Sequence, residues 1–233
     1  MTALLHAQTL ALVTDLELIP DWDELAARVR AAVRGGADLV QVRAKTLPTH
    51  DRLELASLLA DLVGTHARVV VNGDPEVAKA CGADGVHLPE VDGGNGVSIA
   101  GARELLGPDA LIGKSVHSAQ AAAAAEREGA DYIIYGTVFR SRSHEGGPAS
   151  GTAGIASAAN AVSIPVIGIG GITAQNCRSV MDAGAAGVAV IGAIIGEYDS
   201  YRATRALHSA MKGGKSYART AHVGDACAGG SAS

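Results

Sequence analysis

Four times along the chain a glycine closes a helical pattern and a short apolar run follows at once. Gly36-Ala37-Asp38 leads into Leu39-Val40-Gln41-Val42, and Gly82-Ala83-Asp84 into Gly85-Val86-His87-Leu88. Gly129-Ala130-Asp131 leads into Tyr132-Ile133-Ile134-Tyr135, and Gly184-Ala185-Ala186 into Gly187-Val188-Ala189-Val190-Ile191. Glycine in that place suits a left-handed helix C-cap. A short, nearly unbroken apolar run suits a strand covered on both faces, as in a parallel sheet. One supersecondary unit therefore repeats.

Extending the pattern places strands at Thr9–Thr14, Leu39–Arg43, Arg68–Val71, Gly85–Leu88, Leu111–Ser115, Tyr132–Tyr135, Pro165–Ile169 and Gly187–Ile191. Helical patterns lie between them near 22–35, 50–64, 75–81, 98–106, 118–128, 151–162, 173–183 and 195–211. Ser118 can cap the helix it precedes, and Asp74, just ahead of Pro75, stands in a helix-start position. Strands alternating with helices in short, regular units predict an α/β fold, a single (β/α)8 TIM barrel, over a doubly wound open sheet. The barrel is expected over residues 1–212. Residues 213–233, rich in Gly, Ala and Ser and without hydrophobic periodicity, read as a flexible C-terminal tail.

Composition narrows the function classes. Hydrophobic residues are 48% of the 233, too many for a disordered chain. A net charge of −5 and an aromatic content of 3% argue against a basic nucleic-acid face and against a base-stacking platform. The apolar runs fall well short of the ~18 residues of a membrane span, and the N-terminus has no secretory pattern. Cys81, Cys177 and Cys227 lie far apart and read as free thiols in a reducing, cytoplasmic setting.

In such a barrel the chemistry sits at the C-terminal ends of the strands. After strand two, Gln41, Arg43 and Lys45 alternate to one side, and two cations with an amide suit an anionic, oxygen-rich ligand. Asn72 and Asp74 follow strand three, Glu90 and Asp92 follow strand four, and Ser115 and His117 mark strand five. Carboxylates at successive strand ends could hold a hard cation, whereas Asp74 fits a helix cap better. His87, inside an apolar strand, reads at least as well as a satisfied core histidine. The segment from Gly136 to Gly151 carries Thr137, Arg140, Ser141, Arg142, Ser143 and His144, a set suited to diphosphate. Gly170 and Gly171 after strand seven, with Ile191 and Gly192 after strand eight, occupy the places where phosphate sites recur in these barrels.

Taken together, these stretches resemble the thiamine-phosphate synthase family and its relative, thiazole tautomerase. The match rests on Leu12-Val13-Thr14-Asp15, Gln41-Val42-Arg43-Ala44-Lys45, Val71-Asn72, the Gly82–Leu88 run and Gly113-Lys114-Ser115-Val116-His117-Ser118. It continues through Gly129–Tyr132, Gly136-Thr137-Val138-Phe139 and Ile164–Ile172, in order up to about residue 196. The resemblance implies a transferase that joins hydroxymethylpyrimidine diphosphate to thiazole phosphate and releases diphosphate, with Mg2+ as cofactor. It implies that Gln41, Arg43, Lys45 and Asn72 contact the pyrimidine diphosphate and that Asp92 binds Mg2+. It further implies that Ser115, and Ser141 with Ser143 in the loop that includes Thr137 and His144, hold phosphate or diphosphate. Gly170, Gly171 and Gly192, beside Ile191, would hold the thiazole phosphate.

The chain departs from the synthase pattern at three places. Gly73 stands where an aspartate is usual after the asparagine, His144 where a lysine is usual, and Pro89-Glu90 where Gly-Gln is usual. Asn72-Gly73 and Leu88-Pro89 look more like the tautomerase branch, which isomerises a thiazole carboxylate phosphate without a metal. The retained Gln41, Arg43 and Lys45 favour the synthase. A non-catalytic module binding a phosphorylated ligand is the third reading. The expected partners are small phosphorylated pyrimidines and thiazoles, with a homodimer admitted and neither nucleic acid nor membrane.

Overall fold

The computed structural model describes residues 5, 8–90, 96–140 and 149–213. Eight parallel strands close in sequence order into a barrel, β8 pairing with β1. They are β1 Thr9–Val13, β2 Leu39–Val42, β3 Arg68–Asn72, β4 Gly85–Leu88, β5 Leu111–Val116, β6 Tyr132–Tyr135, β7 Val166–Ile169 and β8 Gly187–Val190. The expected TIM barrel is therefore the fold. Around it run α1 Trp22–Gly35, α2 Thr49–Val63, α3 Pro75–Ala80, α4 Ile99–Leu106, α5 Ala119–Arg127, α6 Gly151–Ala161, α7 Cys177–Asp182, α8 Gly192–Ile195 and α9 Ser200–Met211. Asp74 and Ser118 cap α3 and α5 as the sequence predicts, accepting from the N–H of Val77 and Ala121. Among the described residues no helix is long and apolar enough to cross a membrane, and Cys81 and Cys177 are free. Cys227 and nearly all of the expected tail lie outside the described residues.

Two helices differ from the sequence reading. The pattern at 173–183 becomes helical only from Cys177, because the Asn176 side chain folds back, accepting from the Thr173 N–H and donating to the Gly171 carbonyl. The pattern at 195–211 splits into α8 and α9. The chain turns through Gly196, and Asp199 caps α9 by accepting from the Arg202 N–H.

Strand alternation divides the core in two. One set of side chains, including Leu10, Val40, Val71, Ile112 and Val188, packs outward against the helices. The other, including Ala11, Leu39, Val70, Leu111, Tyr132 and Ile167, fills the barrel. Both are buried, which explains apolar runs without alternation.

The repeated glycines all have positive φ: Gly36 at 106°, Gly82 at 67°, Gly129 at 94° and Gly184 at 99°. The repeated aspartates have a role that the sequence alone did not disclose. Asp38, Asp84 and Asp131 each accept, through the side chain, from the N–H of one residue on the preceding odd-numbered strand. Those residues are Leu10 at 2.8 Å, Val69 at 2.8 Å and Ile112 at 2.7 Å. The backbone N–H of each aspartate donates to the carbonyl of that same residue. Strand pairs β1–β2, β3–β4 and β5–β6 are thus doubly tied at the lower end of the barrel. In β7–β8 the equivalent residue is Ala186, whose N–H donates to the Val166 carbonyl while its methyl side chain accepts nothing.

Candidate active site

The upper ends of β2 and β3 present a linked amide pair. Gln41 is 4% exposed, and its Nε2 donates to Asn72 Oδ1 at 2.8 Å. Gln41 Oε1 is buried and has no partner among the described residues. A buried amide oxygen left unpaired is costly, so this atom is poised to accept from a donor. Arg43 follows β2 directly. Its backbone N–H donates to Thr14 Oγ1 at 2.8 Å, and its guanidinium lies 3.8 Å from Asp15 Oδ1. With a side chain 28% exposed, Arg43 is a half-buried cation held at the mouth.

Lys45 is not carried by the strand, contrary to what alternation along β2 implied. β2 stops at Val42, and Lys45 sits exposed in the turn before α2, without an ion pair among the described residues. Asp74 is also committed elsewhere. Its Oδ1 caps α3, and its Oδ2 accepts from Arg52 at 2.7 Å. Among the described residues no group of three His, Cys, Asp or Glu could hold a metal ion. Asp92, Ser141, Ser143 and His144 lie outside the described residues.

Between β4 and β6 the site continues downward into the barrel. Ser115 Oγ lies 2.8 Å from His87 Nε2, and His87 Nδ1 lies 3.2 Å from the Tyr132 hydroxyl. Burial, assisted by the Lys114 charge, pulls the His87 pKa down to about 3. His87 is therefore the satisfied, neutral core histidine of one of its two readings, yet it touches a site serine. Tyr132 was not singled out in the sequence. Its signal was an inward-facing tyrosine beside Gly113 in the ladder, with His87 on the other side. At the rim above, His117 Nδ1 is hydrogen-bonded to Glu90 Oε2, and Lys114 Nζ donates to the Pro89 carbonyl at 2.9 Å.

From β6 to β8 the described residues are joined at the mouth mainly through backbone. Val138 and Phe139 donate their N–H groups to the carbonyls of Ile169 and Gly170, fastening the start of the β6–α6 loop to the end of β7. A Cβ at Gly170 would lie 2.6 Å from Thr137 Cγ2, and one at Gly171 would lie 2.9 Å from the Phe139 carbonyl oxygen. These two glycines are required by close approach. Gly192 is not: beside Ile191 at the end of β8, a Cβ there would meet nothing within 4 Å among the described residues. The space beside Gly192 is open, as a ligand cradle would be, and α8 provides the short extra helix found at phosphate sites of such barrels.

Comparisons with known proteins show the family. A family model described as thiamine monophosphate synthase matches residues 10–194. A protein named thiamine-phosphate synthase from Methanoculleus marisnigri is 42% identical over 192 residues, covering 82% of this chain and 89% of that relative. One of the same name from Natronomonas pharaonis is 42% identical over 189 residues, covering 79% of this chain and 86% of the relative. The solved structure of thiamine phosphate pyrophosphorylase from Pyrococcus furiosus superposes with a TM-score of 0.78 at 34% identity, covering 89% of this chain and 97% of that one. A 3-hexulose-6-phosphate synthase, 19% identical with a TM-score of 0.66, shares the fold.

Proposed function

The chain belongs to the thiamine monophosphate synthase family, and we propose that it is a transferase joining hydroxymethylpyrimidine diphosphate to thiazole phosphate with release of diphosphate. In the reaction the bond from the pyrimidine methylene carbon to the diphosphate oxygen breaks. The diphosphate takes the electron pair, and the thiazole nitrogen closes on the resulting cation. The protein's task is to hold the partners in line and to stabilise charge on the leaving group.

The observation that carries this reading is the unpartnered Gln41 Oε1. One N–H of Nε2 goes to Asn72, and Oε1 has no donor among the described residues, a place that the exocyclic amine of an aminopyrimidine would fill. Arg43 beside it would meet diphosphate, with Lys45 reaching in from its turn. Ser115, Ser141, Ser143, Thr137 and His144 are the further phosphate and diphosphate contacts under this proposal. Gly170, Gly171, Ile191 and Gly192 would face the thiazole phosphate, supported most by the open space at Gly192.

Mg2+ is the cofactor this reading implies, with Asp92 as its protein ligand. The described residues do not fit that ion by themselves. Gly73 carries no carboxylate, and both oxygens of Asp74 are occupied by α3 and Arg52. A cytoplasmic location and a homodimer complete the proposal, the latter tested by the mass of the purified chain in solution.

The test is to mix the purified protein with both substrates and Mg2+ and to measure diphosphate. Release dependent on both substrates is the expected result. A tautomerase reading is favoured by one observation, the Glu90–His117 pair at the rim, which is an acid–base couple. Isomerisation of thiazole carboxylate phosphate with no diphosphate release would replace the proposal by that reading. Binding without either reaction would leave a non-catalytic module.

A further inference from the structure

Gly113 opens a space inside the barrel that a polar chain fills. In the strand ladder His87 pairs with Gly113, and Gly113 pairs with Tyr132. A Cβ at position 113 would lie 2.5 Å from His87 Nδ1 and would also run into the Tyr132 ring. Without it the tyrosine reaches the histidine, with ring centroids 5.6 Å apart. Tyr132 is 0% exposed and His87 1%, whereas Ser115 is half-buried at the upper end of β5. The order Tyr132–His87–Ser115 therefore runs from the closed interior toward the mouth.

The hydrogen bonds can point either way along this chain, and burial separates the two. If Ser115 donates to Nε2, then Nδ1 carries the ring proton and donates to the Tyr132 oxygen. The tyrosine's own proton then has no acceptor among the described residues, in an apolar interior. In the opposite direction Tyr132 donates to Nδ1, and Nε2–H donates to Ser115 Oγ. Every buried proton now has an acceptor, and the free end of the chain is the Ser115 hydroxyl proton.

We infer that Tyr132 and His87 are positioning residues that fix Ser115 as a hydrogen-bond donor toward an anionic substrate oxygen, rather than as a nucleophile deprotonated by histidine. Burial supports this arrangement twice. It holds the His87 ring neutral, and with Asp131 it pushes the Tyr132 hydroxyl well above its ordinary range, so the hydroxyl keeps its proton. A fixed donor suits an oxygen that gains negative charge as the C–O bond breaks. That catalytic consequence rests on the transferase reading, whereas the hydrogen-bond direction does not.

Nitrogen-15 spectra of the histidine-labelled protein test the direction without any substrate. His87 signals are assigned by their disappearance in His87→Gln. The expected result is a protonated Nε2 and an unprotonated, hydrogen-bonded Nδ1, the latter changing in Tyr132→Phe. A proton on Nδ1, or an imidazolium at neutral pH, would overturn the inference. A double-mutant cycle tests the role. Tyr132→Phe should lower kcat about tenfold with Ser115 present and less than about twofold in the Ser115→Ala background. Equal losses in both backgrounds would reduce Tyr132 to a packing residue and refute its action through Ser115. Should the unaltered protein release no diphosphate, the transferase reading would fall while the spectra still decided the hydrogen-bond direction.

Discussion

The two sides of the barrel mouth are built from different material. From β2 to β5 the rim offers side chains: the Gln41–Asn72 pair, Arg43 and Ser115. From β6 to β8 the described residues offer mainly backbone, with Gly170 and Gly171 packed under the start of the β6–α6 loop and Gly192 beside open space. The first side can be altered one functional group at a time. The described part of the second cannot, because there the main chain itself lines the mouth. The contrast also separates glycines that look alike in sequence. Two are demanded by neighbouring backbone, whereas Gly192 has no such neighbour.

Substitutions can break this contrast, and the largest effect is expected on the backbone side. At Gly171, φ is +59° and a Cβ would lie 2.9 Å from the Phe139 carbonyl oxygen. Gly171→Ala should cost about 3 kcal/mol, summing left-handed strain and overpacking. Thermal unfolding of the variant checks this, and an unchanged Tm would remove the packing requirement. On the side-chain side, Arg43→Ala should reduce kcat/KM about 30-fold, near 2 kcal/mol, with the fold retained. Kinetics equal to those of the unaltered chain would take Arg43 out of the site.

The pH dependence sharpens the side-chain half. His87 holds its neutral form in the folded state with a pKa of about 3, against an ordinary value of 6.5. Below the ordinary value the unfolded chain binds the proton that the folded chain refuses, so stability falls as pH drops toward 3. Between neutrality and pH ~5 the loss should be about 1–2 kcal/mol. Denaturant titrations compared with His87→Gln isolate this contribution, and identical pH slopes for the two chains would contradict it. The smallest effect on folding belongs to Gly192→Ala. Stability should move by less than about 0.5 kcal/mol, while KM for the thiazole phosphate should rise about fivefold, near 1 kcal/mol. A stability loss as large as that of Gly171→Ala would erase the distinction between the glycines.

Much of the architecture was legible because one unit repeats. Glycine caps and apolar runs placed every strand to within a residue or two, and closure followed from their number and spacing. The boundaries of α7, α8 and α9 were not legible, since Asn176 and Asp199 act through side-chain hydrogen bonds that apolar periodicity does not register. Within the site, Gln41, Arg43, Asn72 and Ser115 were visible as polar residues at strand ends. Lys45 was misplaced by extending strand alternation past Val42, where the strand stops. Tyr132 was hidden because an inward tyrosine reads as core unless the space left by Gly113 is known.

The aspartate ties at the base of the barrel bear on how the cylinder would yield under load. Three neighbouring couples of strands are stitched twice, and the fourth, β7 with β8, is stitched once. The couple with the missing stitch carries Gly170, Gly171 and Gly192 at its far end. Of these four couples, the one without a side-chain stitch below thus stands beneath the glycines that, under the proposed reading, turn main chain toward a phosphate above.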